Sequence, residues 1–318
     1  MMLLVIPLIA VTCLAWSDDM AKAGKAREKA IRAELKAHGA PVIEEDGGFG
    51  VHWAITEERV QLAAQFDGMT SLYATFCVGA PLLTGPELRH LRGHQHLRRL
   101  ELSGMPIPGE YLAVLLTLPK LEELYCAPKE GVQEAMLHIG KCKGLRRLDL
   151  NQGHISDKLL ESLRGLENLE GLALSGRSVS SGVSVVQHMK HLRSLSLNDT
   201  SVCDDVLKTF VDLRNLETLY IESPNVTDAG MKYVAKSIYL KRFAVSSKQV
   251  TSKGLRQLSV LTRLEYLSAK LTTPDASLFK ALSSLKQLRH VSVKGTGVSS
   301  EDREELEALL PKCRILWM

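Results

Sequence analysis

The chain has 318 residues, enough for two average domains or for one long repeat array. Hydrophobic residues make up 45% and charged residues 24%, a balance that is ordinary for a folded protein and excludes wholesale disorder. The chain contains 40 Lys and Arg and 36 Asp and Glu, which gives a formal net charge of +4. This charge gives no reason to expect a nucleic acid or an acidic membrane surface as the partner.

The N-terminal segment from Met1 to Trp16 is apolar except for Thr12. Its length falls short of the ~20 residues that a membrane-spanning helix needs, and it matches the apolar core of a signal peptide. We therefore predict that residues 1–17 are a signal peptide or a short membrane anchor, with residues 1–16 as the tether if they are retained. The alternative is a buried N-terminal strand or helix.

Residues 18–70 predict a cap that covers the end of the following array. The charged, alanine-rich stretch 18–38 favours a helix, and Gly39 is a natural helix stop. Two short strand patterns flank Asp46-Gly47-Gly48, which is a hairpin signal. Residues 57–66 predict a further helix.

One apolar pattern then repeats to the end of the chain. A unit with apolar residues at i, i+3 and i+5 begins with Tyr73-Phe76-Val78, continues with Leu97-Leu100-Leu102 and recurs to Cys313-Leu316-Met318. Its eleven starts are 24 residues apart, except for one step of 23 and a last step of 25. The second and third apolar residues lie on one face of a short strand, because side chains alternate along a strand. Apolar residues spaced by three between the units favour a short helix that packs against the strand.

This unit resembles the leucine-rich repeat, L-x-x-L-x-L, over about residues 70–318. The resemblance implies an α/β fold, a leucine-rich repeat solenoid: a curved horseshoe with a parallel sheet of about eleven strands on the concave side and short helices on the convex side. We assign residues 71–318 to this array. The common asparagine after the last leucine is missing, and the turn from Val226 to Gly230 is more similar to ribonuclease-inhibitor-like and F-box-associated repeats. Similar arrays occur in exported bacterial proteins.

Four turns predict where helices begin, because a small residue precedes the helix at Ser156, Cys203, Thr227 and Thr251. A Ser or Thr hydroxyl at that position accepts a hydrogen bond from an otherwise unpaired N–H group, typically worth ~1 kcal/mol. The segment Thr84-Gly85-Pro86-Glu87 predicts a capping box with proline in the first turn.

Residues that alternate with the leucines are expected on the concave surface, where two groups favour partner binding. The N-terminal patch consists of Arg99, Glu123 and Arg147 with Tyr125. Its alternative interpretation is a row of solvated surface charges that contributes little to stability or binding. The C-terminal patch is rich in Tyr and basic residues, which are enriched at binding hot spots. Its members are Tyr220, Arg242, Tyr266, Lys270, His290 and Lys294.

The sequence predicts no catalytic residues, no cofactor and no metal. P-loop, GxSxG and HExxH motifs are absent from the sequence. His90, His94 and His96 are weak metal candidates, since His94 occupies a slot that is apolar in other repeats and is expected to be packed. The six scattered cysteines do not form a disulfide framework, and Cys126 and Cys313 occupy apolar slots of the repeat.

Three functions are consistent with these patterns. The leading hypothesis is a non-enzymatic scaffold, exported (periplasmic, cell-surface or secreted) or membrane-tethered, that binds another protein, and not a nucleic acid, on its concave face. The second is an intracellular F-box-like adaptor that presents substrates to a ubiquitin ligase. The third is an enzyme or metalloprotein centred on the three histidines.

Overall fold

The structure is a computed structural model that describes residues 29–34, 36–37, 42–45, 48–53, 57–74, 83–270, 276–294 and 300–317. The predicted signal or anchor segment, Cys13 and Cys77 lie outside the described residues. Among the described residues, no helix is long and apolar enough to cross a membrane.

One sheet of thirteen strands runs through the described part of the chain, with the strands in sequence order. The first two strands pair antiparallel, and every later neighbour pair from β2 to β13 is parallel. The strands are β1 (Val42–Glu45), β2 (Gly48–Trp53), β3 (Met69–Ala74), β4 (Arg99–Leu102), β5 (Glu123–Cys126), β6 (Arg147–Leu150), β7 (Gly171–Ser175), β8 (Ser194–Asn198), β9 (Thr218–Glu222), β10 (Arg242–Ser246), β11 (Tyr266–Lys270), β12 (His290–Lys294) and β13 (Arg314–Trp317).

Short helices connect these strands. The α-helices are α1 (Glu57–Ala64), α2 (Val132–Ile139), α3 (Asp157–Leu160), α4 (Asp204–Thr209), α5 (Asp228–Val234), α6 (Ser252–Arg256), α7 (Ala276–Leu282) and α8 (Ser300–Leu309). Tighter 3₁₀ turns cover Pro86–Leu91, Gly109–Thr117, Glu161–Gly165, Ser181–His188, Phe210–Asp212 and Gln257–Val260. Residues 29–34 and 36–37 are also helical, within the helix expected over 18–38. The leucines of the strands and the apolar face of the helices form one continuous buried core.

The predicted solenoid with eleven repeat strands is confirmed, as β3 to β13, but the position of the first unit was wrong. Leu72 pairs with Leu100, so the first unit is Met69-Leu72-Ala74 and not Tyr73-Phe76-Val78. Its three apolar residues are buried, whereas Tyr73 lies on the outer face of the strand. The step from Met69 to Leu97 is therefore 28 residues, and the predicted boundary at residues 70 and 71 falls inside β3.

The turns that precede the helices are tied to the preceding repeat by aspartates. The Asp228 carboxylate accepts hydrogen bonds from the Thr251 N–H and hydroxyl, both at 2.7 Å, and from the Gly254 N–H at 3.1 Å. Asp204 accepts in the same way from the N–H and hydroxyl of Thr227, at 2.9 and 2.6 Å. Each of these aspartates thus satisfies the free N–H groups at the start of the next helix.

The predicted helix starts are confirmed, but their capping bonds only in part. The Thr227 and Thr251 hydroxyls accept from the N–H groups of Ala229 and Lys253, whereas Ser156 makes no such bond. Ser180 instead donates its N–H and hydroxyl to Asp157. Burial alone would raise the pKa of Asp157, but these bonds outweigh it and lower that pKa.

The segment Thr84–Glu87 forms half of its predicted capping box. The Glu87 carboxylate accepts from the Gly85 N–H at 2.9 Å and from the Thr84 N–H at 3.3 Å. Thr84 donates its hydroxyl to the same carboxylate and therefore does not cap the helix itself.

Serine hydroxyls bridge repeats one residue before the position where the common pattern would place asparagine. Buried Ser223 and Ser247 donate to the carbonyl oxygens of Val202 and Val226, each at 2.6 Å and each one repeat back. Because the acceptor is a backbone carbonyl that would otherwise be buried without a partner, these hydroxyls hold adjacent turns together.

The residue that follows the first leucine of each repeat is charged, and its charge alternates in sign from one repeat to the next. Over nine consecutive repeats this position holds Arg98, Glu122, Arg146, Glu170, Arg193, Glu217, Lys241, Glu265 and Arg289. We name this column the charge ladder. Ion pairs join Arg98 to Glu122 and Arg146 to Glu170, while Glu217 lies 2.9 Å from Arg193 and 2.8 Å from Lys241.

Candidate functional site

The concave surface is made by the alternate strand residues that point away from the core. In β9, Leu219 and Ile221 are buried, while Thr218, Tyr220 and Glu222 remain accessible. The same alternation holds in β10 and β11. Parallel register places equivalent residues of neighbouring strands side by side, so the exposed residues form continuous columns.

A groove of about 420 Å³ lies within the C-terminal patch. Tyr220 on β9 and Tyr266 on β11 are on its walls, and Ala244 on β10, the strand between them, is part of its floor. Register places Tyr220 beside Ala244, and Tyr266 two residues earlier, beside Arg242. The two rings therefore stand diagonally across Ala244, on strands ~10 Å apart, and the small floor residue leaves room for a side chain between them. We name this feature the tyrosine slot.

Tyr266 is braced by its neighbours in the same row. The Arg242 guanidinium carbon lies 5.5 Å from the centre of the Tyr266 ring, a cation–π geometry. On the other side, the His290 ring centre is 6.4 Å away with the planes tilted by 46°. These contacts restrict the Tyr266 side chain, which lowers the entropy lost when a partner packs against it.

Opposite charges stand at one end of the tyrosine slot. Register aligns Glu222, Ser246 and Lys270 on successive strands, and all three line the groove. Lys294 continues this row at the end of β12, where the structure describes its backbone but not its side chain. An acceptor and a donor at the end of an aromatic slot can orient a polar partner group while the rings supply the apolar contact.

The N-terminal patch is built around Arg99, whose guanidinium is held between two rings. Its central carbon lies 4.8 Å from the centre of the Tyr73 ring and 4.5 Å from that of Tyr125. Tyr73 was absent from the predicted patch, because placing the first unit at Tyr73 assigned it to the core. The signal that could have found it is the alternative unit Met69-Leu72-Ala74.

The charges of the N-terminal patch are paired with one another. Glu123 lies 3.4 Å from Arg99 and 3.0 Å from Arg147, and it accepts the Tyr125 hydroxyl at 3.1 Å. Burial and the neighbouring Glu123 carboxylate raise the pKa of Tyr125. A partner would have to replace these internal bonds, whereas the tyrosine slot is open.

The three histidines do not converge. His94 is buried, where its Nε2 donates to the Phe66 carbonyl at 3.2 Å and its Nδ1 accepts from the Leu97 N–H at 3.1 Å. Both ring nitrogens are therefore used by the fold, and burial lowers the His94 pKa. His90 pairs with Glu57, and His96 is exposed. Within the described part of the chain, no three His, Cys, Asp or Glu side chains are grouped as metal ligands.

Cysteines 126, 142, 203 and 313 are free thiols. Cys126 is buried in the core, as its apolar slot predicts, and burial raises its pKa to about 12. Such a thiol is not a nucleophile at neutral pH.

Comparison with known proteins agrees with the repeat architecture. Residues 77–313 match the family model described as a leucine-rich repeat region. An internalin from Listeria monocytogenes has a similar structure, with a TM-score of 0.56 and 17% identity over 91% of this chain and 87% of that chain. A chain of the mouse RP105/MD-1 complex gives a TM-score of 0.54 and 18% identity over 81% of this chain and 44% of that chain.

These likenesses show the fold, and no curated protein sequence matches the chain significantly. Solenoids of this kind typically serve as protein-interaction scaffolds through an extended concave surface. The matched region covers about three quarters of the 318 residues, and the chain belongs to the leucine-rich repeat family.

Proposed function

We propose that this chain is a non-enzymatic scaffold, exported or membrane-tethered, that binds another protein on its concave face. The proposal rests mainly on the tyrosine slot, a groove of about 420 Å³. It combines the Tyr266 ring, which its neighbours hold in place, the accessible Tyr220 ring, a small residue on the floor and opposite charges at one end. The apolar segment from Met1 to Trp16 supports export. The fold supports protein binding in general, and the tyrosine slot is the binding site that we propose.

A partner side chain of apolar or aromatic character fits between Tyr220 and Tyr266. Burying a Tyr ring at the centre of an interface contributes more than most contacts, and hot spots of this type cluster in desolvated pockets. Glu222 and Lys270 then select for a partner with complementary charges around that side chain. The N-terminal patch, with its charges already paired, serves as a secondary contact.

Site-specific photo-crosslinking in the native cell tests this proposal. A photoreactive amino acid at Ala244 should capture one partner protein, whereas the same group at Leu137, exposed on α2, should not. The captured adduct should be found outside the cytoplasm, and the intact mass of the mature chain shows whether residues 1–17 are removed. A cytosolic adduct that contains ubiquitin-ligase components would establish the adaptor function instead.

The purified partner then allows a quantitative test. Replacing Tyr220 and Tyr266 together by Ala should weaken binding by about 2–4 kcal/mol and leave the circular dichroism spectrum unchanged. The control is Tyr239→Ala, which removes an accessible Tyr away from the concave face. Equal affinity of the double variant and the control would remove the tyrosine slot from the binding site.

A further inference from the structure

Charge is segregated in this molecule, although the whole chain carries only +4. The parallel strands β4 to β13 all begin at one edge of the sheet, so the five residues that precede the first apolar position of each repeat, from Leu97 to Cys313, lie along that edge. These ten segments contain eleven Lys and Arg and two acidic residues, Glu167 and Asp212, which leaves +9 on the edge and −5 on the rest of the chain. We name these ten segments the basic edge.

The cations are distributed over the whole length of the basic edge. The segments before β4 to β8 contribute Arg92, Lys120, Lys141, Lys143, Arg164 and Lys190, and every one of them is exposed.

The second half of the edge continues the series at the same spacing. The segments before β9 to β13 contribute Arg214, Lys236, Arg263, Lys286 and Lys312, again all exposed. Ten segments at the strand spacing of ~4.8 Å make a stripe about 45 Å long. Within the described residues, Arg164 is the only one of the eleven with a carboxylate at ion-pair distance, Glu161 at 2.9 Å.

Exposed apolar side chains are interspersed among these cations. Ile238 is 54% and Val260 57% exposed, and Leu116, Tyr239 and Leu309 are also large hydrophobic residues left accessible on the same edge. A groove of about 290 Å³ runs between Val211 and Ile238, with Arg214 and Lys236 in its lining. Single exposed hydrophobic residues need no explanation, but five on one basic edge form a pattern.

We propose that the basic edge docks on the surface of an anionic phospholipid bilayer. Lys and Arg near such a surface are attracted to its negative lipids, and aliphatic and Tyr side chains enter the boundary between headgroups and acyl chains. A polyanion such as a nucleic acid would match the cations but would offer no apolar phase to Ile238 and Val260. The bilayer therefore accounts for both components of the edge.

Vesicle co-sedimentation of the full chain tests the docking. Vesicles of phosphatidylcholine alone measure binding through apolar residues, including residues 1–16, and the additional binding to vesicles that also contain phosphatidylserine measures the contribution of the cations of the basic edge. We expect binding to increase with phosphatidylserine and to fall when salt rises to about 0.5 M, since salt screens exposed charges. Binding that does not depend on phosphatidylserine would overturn the proposal.

Two matched sets of variants localise the effect. The triple change Lys120→Gln, Lys190→Gln and Lys236→Gln should weaken phosphatidylserine-dependent binding by about tenfold to 100-fold. The control triple, Lys129→Gln, Lys248→Gln and Lys253→Gln, removes the same charge from exposed residues on the opposite edge and should behave like the wild type. Equal losses of binding in the two triple variants would mean that the whole positively charged surface attracts the vesicles, and the proposal that the basic edge docks on them would fail.

The apolar component separates a bilayer from a soluble polyanion. Ile238→Ser with Val260→Ser should reduce vesicle binding at least about fivefold without any change in net charge, whereas Leu137→Ser on α2 should have no effect. If the serine pair binds vesicles as the wild type does, and heparin binding is lost in the basic-edge triple alone, the edge is a polyanion site and the bilayer proposal fails. All the substituted residues are exposed, so thermal unfolding should be unchanged.

Discussion

His94 shows how a single side chain can be assigned to the fold rather than to chemistry. Its two ring nitrogens connect the turn between α1 and β3 to the residue that leads into β4, through the Phe66 carbonyl and the Leu97 N–H. The acceptor role of Nδ1 requires the neutral ring. A metal ion or a proton at this nitrogen would compete with the hydrogen bond that the fold already makes.

The stability of the chain should therefore depend on His94 in mildly acidic solution. Burial lowers the folded-state pKa below 6.5, so the unfolded chain binds more protons between the two pKa values. The contribution is complete above about 6.5 and is lost as the pH falls below that value. Urea unfolding at a series of pH values between 7 and about 5 should show a declining free energy of unfolding.

The control for this prediction is His94→Gln, whose amide can donate to Phe66 but does not titrate. The variant should be less stable at pH 7 and should lose the part of the slope that depends on His94. A slope that is identical in the two proteins would assign the acid sensitivity to other groups.

At the scale of elements, the helices α5 and α6 each carry in their first turn a glycine that faces the aspartate of the previous repeat. A Cβ on Gly254 would overlap the Asp228 carboxylate and lie 3.0 Å from the Asp228 Cα. Gly230 stands in the same relation to Asp204. The turn pattern around Val226 to Gly230 thus encodes the close approach of two consecutive repeats.

Gly254→Ala should destabilise the chain, although alanine normally favours a helix over glycine by about 1 kcal/mol. The methyl group would displace Asp228 from the Thr251 and Gly254 N–H groups, which are then left without their partner. We expect a loss of about 1–3 kcal/mol in the free energy of urea unfolding. Gly171→Ala is the control, because its Cβ would meet only the Arg147 Cγ, at an ordinary 3.5 Å. A stabilised Gly254 variant would refute the role of the aspartate.

Most strands could be predicted from the sequence, because the leucine pattern records burial directly. The first unit could not, since Tyr73-Phe76-Val78 satisfies the same pattern at the regular spacing, and only the pairing of Leu72 with Leu100 places the unit at Met69. The residues of the C-terminal patch followed from strand alternation, whereas the groove between Tyr220 and Tyr266 is visible only in the structure. The contact of Arg99 with Tyr73 could be recognised only with the corrected register of the first unit. The basic edge could not be predicted, because its residues are far apart in sequence and acidic residues elsewhere cancel most of its charge in the net charge of the chain.

At the scale of the whole molecule, the two proposed surfaces do not compete. The concave face is formed by the outward side chains of the strands, whereas the basic edge lies at the beginning of those strands. A chain that docks through the edge therefore lies with its strands rising from the bilayer. The tyrosine slot then opens along the membrane surface, where a membrane-associated partner can reach it.

Stability at this scale is shared between neighbours, since one repeat cannot bury its own core. Leu195 on β8 is fully buried, so Leu195→Asp would place an unpaired charge among leucines. Hydrogen exchange should reveal lost protection in β7, β8 and β9 together. Ser196→Asp, one residue along and on the outer face of β8, should leave protection intact. Loss confined to β8 would show that the repeats fold independently.

The alternation of the charge ladder survives only a change of array length by an even number of repeats. Loss of the one repeat that carries Glu170 would bring Arg146 beside Arg193, two like charges on adjacent strands. Loss of the next repeat as well would bring Arg146 beside Glu217 and restore the alternation. A change of two repeats therefore keeps every ladder residue beside an opposite charge, whereas a change of one repeat does not.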